Sequence, residues 1–500
     1  MKNDATSPII SLGEFKDGVQ RYPLTGIKVL IVGAGIGGLL AALECYRKGH
    51  SVLVLERAPS LSTVGDVFAT HPPGFSTLKY YPALLRDYQA GSHDTQISFY
   101  TRQGQFVAAS EPEWRDTACE REAGGRIGVT IPRPAHAAML MGQIERLGIP
   151  VLFGRRVVRY TEDRQAGIAA AHTDGGECFD ADVIIAADGI HSAAHDLLKK
   201  GSYPPYQPTN SYAARAGFPR ELLAPGPQLQ SILPKPGERD VTRVYCSKDV
   251  HLFLDATQTY VSFCYVYKDT PKPSQNTCQL SENTRHKYEH PMALTPAELL
   301  AIMTKDPDWD PAILELVSQA PREIMQWSLN FRNPHRQWTS PGGHVVMIGD
   351  AAHTFLPTSG NGAVQASEDA VSIAECLRQG GRENIAWSTR VHNTLRYERV
   401  STIQRTGFVN QDILDSVDQV SQHPDAVILK IGSWMWGHLP EKYAADNYRD
   451  ALAALRSGVP FENTNLPPGY KFREWTMEEE QERQSKGIVS DLRSNGDWTA

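Results

Sequence analysis

The chain has 500 residues, 41% hydrophobic and 21% charged, a balance that excludes disorder and fibre and leaves length for about three domain-sized units. Its 50 Lys and Arg against 57 Asp and Glu give a net charge of -7, so nothing electrostatic points to nucleic acid or an anionic membrane, and small molecules are the expected ligands. The seven cysteines (Cys45, Cys119, Cys178, Cys246, Cys264, Cys278 and Cys376) are scattered and odd in number, which predicts a reducing compartment in place of a zinc ribbon or a disulfide framework.

Residues 1–26 are polar, carry acidic side chains and read as an N-terminal arm, without the form of a targeting segment. The short apolar run 27–32 predicts a buried parallel strand. Glycines follow it, then Leu39, Leu40, Leu43 and Tyr46 at helical spacing. Lys48 complements the helix dipole in the last turn, Gly49 supplies a left-handed cap, and 51–55 makes the second strand of a βαβ unit. The longest apolar stretch, 29–43, has 15 residues and four glycines, too short and glycine-rich for a membrane span. A soluble, cytoplasmic protein without a transmembrane segment is expected.

Further along come a Pro-rich bend at 71–74, a helix over 134–147 and a strand at 182–187 that ends in Asp188-Gly189. From about residue 203 the texture changes to Pro-rich turns and alternating strands at 242–247, 251–256 and 259–267, which indicates an antiparallel sheet. Residues 295–325 read as helical. A buried strand at 344–348 then leads through glycines into a helix on which Ala363, Ala366, Ala370, Ile373 and Leu377 share one face, with Glu368 and Asp369 toward its positive end. Beyond Arg396 the chain is helical and polar, with a Pro-rich stretch at 466–470 and a charged helix near 478–482.

Two constellations carry chemistry. Gly33, Gly35 and Gly38 fit G-x-G-x-x-G between strand and helix, where bare amides and the helix dipole hold a pyrophosphate. Glu56, 23 residues after Gly33, stands at the distance of a carboxylate that accepts hydrogen bonds from an adenosine ribose. The spacing serves FAD and NAD alike. In the second, the strand ends in Gly349-Asp350-Ala351-Ala352-His353 and runs through Pro357 to Gly360-Asn361-Gly362-Ala363 at a helix start. Such a turn presents a carboxylate to a ribityl hydroxyl and amides to the pyrimidine edge of a flavin; read alone, Asp350 equally caps a turn.

With GAGIGG and Glu56, Asp188-Gly189 in IIAADGIHS, and IGDAAHTFLP with GNGA, the sequence from about 27 to 396 resembles the single-component flavin-dependent aromatic hydroxylases, typified by p-hydroxybenzoate and salicylate hydroxylases. ECYRKGHSVLVLER followed by STVGD is most similar to fungal monooxygenases of aromatic secondary metabolites, indole alkaloids and phenolic polyketides included. The resemblance implies an α/β fold divided into the arm (1–26), a Rossmann-type FAD-binding domain in two parts (27–202 and 336–396), an inserted antiparallel-sheet substrate domain (203–335) and a helical C-terminal region (397–500).

By the same resemblance Glu56 binds the adenosine ribose, Arg133 contacts FAD, Asp350 holds the ribityl chain, and the backbone at Gly362 and Ala363 lies against the isoalloxazine. The loop after Glu56 wraps through Ala69 toward the flavin, and Asp188 serves FAD and nicotinamide nucleotide. Asp66 matches an acidic position near the flavin and Arg215 an arginine facing the substrate; without the resemblance they read as an Asp in an exposed Gly turn and a surface Arg on a strand edge. Both are the catalytic candidates. A cation at Arg215 would stabilise a phenolate or the oxyanion left by oxygen transfer.

Some positions depart from the family pattern. Ser192-Ala193-Ala194-His195 lacks the usual arginine, and His136 stands where leucine is common. His71 and His353 read as structural hydrogen-bonders. Trp434-Met435-Trp436 superficially resembles a halogenase tryptophan pair but lies where no flavin contact is expected. Of Tyr245, Phe253, Tyr260, Phe263, Tyr265 and Tyr267, some must face inward toward a substrate pocket, although core packing is the default for most.

The expected reaction is reduction of FAD by NADPH or NADH, addition of dioxygen, and delivery of oxygen from a flavin hydroperoxide to an electron-rich aromatic carbon, hydroxylating or epoxidising it. No metal is expected. An FAD-dependent dehydrogenase or oxidase shares the motifs, and a non-catalytic nucleotide sensor would not need two flavin segments with a sheet domain.

Overall fold

Past their first residues, Lys28 and Ser51, the inner strands of the first domain are apolar on every residue because both faces of the sheet are covered. Val345–Met347, Val183–Ala186, Lys28–Val32, Ser51–Leu55 and Val151–Leu152 lie side by side in that order, all parallel. Val29, Ile31, Val183, Ile185 and Val346 pack against the helices Ile36–Arg47, Arg133–Leu147 and Gly362–Gly380. Leu30, Val32, Ile184, Ala186, Val345 and Met347 face the opposite core, with the antiparallel strands Val157–Asp163, Ile168–Thr173 and Cys178–Ala181. The computed structural model describes residues 13–61, 65–198, 205–268, 292–321, 324–416, 431–488 and 490–499. Cys278 lies outside the described residues; the other six cysteines are free thiols.

Gly49 takes the positive φ (+88°) expected after the first helix, but Lys48 does more than complement a dipole. It is buried, 2.5 Å from Glu375 and paired also with Glu441. Residues 295–325 are not one helical unit. Pro307, Pro311 and left-handed Asp308 (φ +71°) separate the helices Pro296–Met303 and Pro311–Ser318, and the chain then enters the strand Ile324–Phe331.

The second sheet has eight strands, in the order Met292–Leu294, Ile324–Phe331, Gln207–Pro219, Tyr260–Lys268, Val250–Ala256, Val241–Ser247, Gln96–Thr101 and Phe106–Ser110. All its pairs are antiparallel except 241–247 with 96–101. Two strands thus come from 96–110, well before residue 203. One face is covered by 227–232, 296–303 and 311–318, and the other turns toward the parallel-sheet domain, where Asp255 meets His93 and Thr130. A 31-residue helix, Ile385–Asp415, spans both layers, its end packing Leu414 against Val244 and Cys246. No helix among the described residues is long and apolar enough to cross a membrane.

Candidate functional site

The first glycine turn is a close approach of two strands and a helix. Gly33 (φ +104°) donates its amide to Leu55 O at 2.8 Å, and a Cβ there would collide with the Ala187 carbonyl. A Cβ on Gly38 would strike the Gly33 carbonyl. Gly35 differs, since a Cβ there meets nothing within 4 Å. The helix beginning after Gly35 has no side-chain cap and no acid in its first turn, so its positive end stays unscreened. Beside it Glu56 accepts the amides of Ala34 (2.7 Å) and Ala58 (2.8 Å), which fixes its carboxylate at the mouth of the turn.

Asp350 lies deep in the fold but open on one side: burial pushes its carboxyl up while His353, Arg133 and Arg215 pull it down, and no described residue donates a hydrogen bond to it. Its turn is gripped from beneath. Asp369 Oδ2 accepts the Gly349 amide at 3.0 Å and lies 2.6 Å from His353 Nε2, so His353 is a structural hydrogen-bonder as expected. His195, in place of the usual arginine, donates through Nε2 to the Ala351 carbonyl at 2.7 Å. The helix Gly362–Gly380 starts without a side-chain cap, leaving the Gly362 and Ala363 end of its dipole bare. Across from it Ala69, on the short strand Val67–Ala69, lies 3.7 Å from where a Gly360 Cβ would stand.

Asp66 and Arg215 are brought together. Asp66 is buried rather than displayed in an exposed turn, its carbonyl accepting the Arg133 amide at 2.8 Å. Arg215 sits on an inner strand, not an edge, with Nη1 3.4 Å from Asp66 Oδ1 and a buried Nε that has no protein partner. Burial disfavours the guanidinium charge, but the Asp66 carboxylate outweighs it and raises the Arg215 pKa above its ordinary value. Around the pair the sheet face is apolar, with Ala213, Cys264, Val266, Phe253 and Leu329 in one cluster. Burial pushes the Cys264 thiol up to about 12, so it is a small apolar group there.

Strand alternation sorts the aromatic residues. Tyr245, Phe263, Tyr265 and Tyr267 belong to the helix-covered core, away from Arg215. Phe253 is on the Arg215 face, and the Tyr260 hydroxyl occupies the space beside Gly217 and the Gly65 carbonyl. Arg133 opens the helix Arg133–Leu147, exposed, with its guanidinium 5.6 Å from the Phe68 ring. Asp188 accepts the Tyr160 hydroxyl at 2.7 Å through Oδ2, while Oδ1 is buried without a partner. Burial raises the Asp188 carboxyl, against the hydrogen bond from Tyr160.

Several residues have partners that the sequence reading did not give them. Glu368 and Asp369 do not lie in the first turn of their helix and are held by charge, not by its dipole. Glu368 pairs with Arg396 and, at 2.9 Å, with Arg399; Asp369 pairs with Arg396 at 2.8 Å, all fully buried. The signal available was two adjacent acids, Glu368-Asp369, within a mostly apolar helix, followed by Arg396 and Arg399 on the next one. Trp436 packs inward, against His71.

A dipole end reached only past glycines, a ribose-height carboxylate, a deep open acid and a second bare helix start fit a flavin dinucleotide: they define an FAD-binding α/β flavoprotein. Comparison with known proteins agrees and goes further. Residues 26–211 match the family described as FAD binding domain. The chain is 36% identical over 495 residues to the FAD-dependent monooxygenase fsr3 of Gibberella fujikuroi, covering 96% of this chain and 91% of that one. It is 34% identical over 494 residues to the FAD-dependent monooxygenase mdpD of Emericella nidulans, at 96% and 92% coverage. The chain therefore belongs to the FAD-dependent monooxygenases and is an FAD-dependent oxidoreductase. The crystal structure of FqzB, at 26% identity, superposes with a TM-score of 0.75 and covers 89% of this chain and 98% of its own. The fold is shared as well with a salicylate hydroxylase substrate complex at 21% identity and a TM-score of 0.64, covering 84% of this chain and 97% of that one.

Proposed function

We propose that the chain is an NAD(P)H- and dioxygen-dependent monooxygenase that hydroxylates or epoxidises an electron-rich aromatic small molecule, a phenolic polyketide or an indole-type metabolite. The observation that carries this reading is the Asp66–Arg215 pair, a cation set in an otherwise apolar sheet face that looks toward the flavin segments. Bound FAD supplies the redox chemistry that activates dioxygen.

The chain's residues hold and orient the reactants. Gly33, Gly35 and Gly38 with the helix end seat the pyrophosphate, Glu56 the ribose, Asp350 the ribityl chain, and the amides of Gly362 and Ala363 the flavin edge, with Ala69, Arg133 and Asp188 bordering the cofactor. Residues 27–202 and 336–396 make the cofactor side, and 203–335 with 96–110 the substrate side. Arg215 stabilises oxyanion charge on the ring oxygen of the substrate, and Asp66 fixes the guanidinium in place. Ala213, Cys264, Val266 and Phe253 keep water from the reacting face. The free thiols and scattered cysteines suit a reducing, cytoplasmic setting. Among relatives, the notoamide E oxidase notB' of Aspergillus versicolor, 29% identical over 459 residues with 90% and 95% coverage, bears a substrate in its name.

The test is anaerobic reduction by NADPH or NADH, then rapid mixing with isotopically labelled dioxygen while the flavin spectrum is recorded with a panel of phenols and indoles. Label in the product, and faster reoxidation with one class of ring, is the expected result. Reoxidation without label in any product assigns a dehydrogenase or oxidase instead.

A further inference from the structure

His71 and the Trp434-Met435-Trp436 run, far apart in sequence, meet at the head of the Gly362–Gly380 helix. The His71 ring stands edge-on to Trp436 at 4.8 Å and to Trp114 at 5.0 Å, and the two indoles are themselves 4.9 Å apart. All three side chains are buried. Edge-to-face contacts of this kind fix ring orientation as well as filling space. Burial lowers the imidazole pKa to about 4, against the pull of Asn361 and Glu368, so the ring is neutral at physiological pH, and its Nδ1 has no partner.

Glu113 holds the triad from outside. Its carboxylate accepts the Trp436 indole N–H at 2.7 Å and the amides of Ile431 (3.1 Å) and Gly432 (3.0 Å), so one side chain anchors the start of the C-terminal segment. On the inner side, His71 is two residues from Ala69 and five from Asp66. Gly74, just beyond it, packs so closely on the helix that a Cβ would lie 3.1 Å from Val364 Cα. Trp434 provides a contrast within the same turn of helix. Its ring faces Trp498 at 5.3 Å and the Arg399 guanidinium at 5.4 Å, away from His71.

We propose that Trp436, anchored by Glu113 and acting with Trp114 through His71, is a positioning residue of the flavin site: it presses the segment carrying Asp66 and Ala69 against the head of the Gly362–Gly380 helix, and so makes the C-terminal region part of the active site. The inference rests on the reading that these two segments border the flavin.

The experiment compares full-length wild type with Trp436→Ala, Trp436→Phe, Trp434→Ala and Glu113→Gln, each titrated with FAD, and follows the visible absorption and circular dichroism of the bound flavin, FAD affinity and melting temperature. Trp436→Ala is expected to shift the flavin bands and weaken FAD binding by about tenfold, the scale of one lost edge-to-face ring contact. Trp436→Phe, which keeps an edge for His71, restores most of both. Trp434→Ala lowers the melting temperature with the flavin bands unchanged, and Glu113→Gln gives a smaller shift in the same direction as Trp436→Ala. Wild-type bands and affinity in Trp436→Ala would overturn the proposal, as would equal flavin shifts in the two Trp→Ala variants. If Trp436→Ala does not fold, Trp436→Phe and Glu113→Gln decide it: a shift in Glu113→Gln alone upholds it, and none in either overturns it. A wild type that takes up no FAD would overturn the cofactor placement instead.

Discussion

The Asp66 carboxylate stands 3.4 Å from the Arg215 guanidinium, although they lie 149 positions apart in the chain, Asp66 in the loop just before the strand Val67–Ala69 and Arg215 on an inner strand of the eight-stranded sheet. The pair crosses from the loop after the dinucleotide strands to the floor of the second sheet. Arg215→Ala should therefore abolish product while FAD stays bound, a loss in kcat on the order of 10²–10³-fold. Arg215→Lys should recover only part, because an ammonium lacks the planar fork that meets Asp66. Steady-state rates beside the flavin spectrum check this; a turnover unchanged in Arg215→Ala would remove it from the chemistry.

Two glycines of one motif should behave differently. Gly33→Ala forces an L side chain to φ +104° and into the Ala187 carbonyl, so the strand-to-helix turn must open, and both melting temperature and FAD binding should fall. Gly35→Ala has room in the protein itself and should melt close to wild type. Its methyl nevertheless lies on the open side of the helix end, so FAD affinity alone should drop. Thermal melts with and without FAD separate the two.

Acid should destabilise the fold from well above the carboxylate range. Burial lowers His71 from 6.5 to about 4 and His136 and His392 from 6.5 to about 3, so these rings are neutral when folded and bind protons more readily when unfolded. Stability rises with pH wherever the unfolded chain binds more protons, so theirs is complete above about 6.5 and is lost as pH falls toward 3–4. Glu368 adds in the same direction below its ordinary 4.5. Burial opposes its charge, but Arg399 and Arg396 hold its carboxyl well down. Melting temperature should fall progressively below pH 6.5, and His136→Leu should flatten that fall without loss of FAD.

Arg399 and Glu368 are both fully buried, and deleting Arg399 leaves the buried carboxylates of Glu368 and Asp369 to share one arginine, Arg396. Arg399→Ala should cost about 3–5 kcal/mol. The pair Glu368→Gln with Arg399→Met, which removes one charge of each sign and leaves Asp369 with Arg396, should cost less than the two single changes summed. Denaturant unfolding of the four proteins in a double-mutant cycle measures that coupling.

The βαβ unit was legible because its signals are local. A short, mostly apolar strand, three glycines at set offsets, a helix end at Lys48-Gly49 and an acid after the next strand each depend on neighbours within one or two turns. Alternation likewise announced the second sheet. What alternation leaves open is which parity faces which layer, since a shift of one residue exchanges the faces. Only the packed helices 296–303 and 311–318 decided that Tyr245, Phe263, Tyr265 and Tyr267 are core and that Phe253 and Arg215 share the other side.

By itself, then, the chain's order of residues determined the strand and helix periods, the glycine positions that tolerate no side chain, and the family to which these motifs belong. The tertiary structure alone decided that Asp66 meets Arg215, that 96–110 joins a sheet formed mostly after residue 203, that Glu368 and Asp369 answer Arg396 and Arg399, and that Trp436 reaches His71. The reason is physical. Backbone preference and amphipathic spacing act over a few residues, whereas ion pairs and ring contacts between distant segments exist only once burial has brought layers together and removed the water between them.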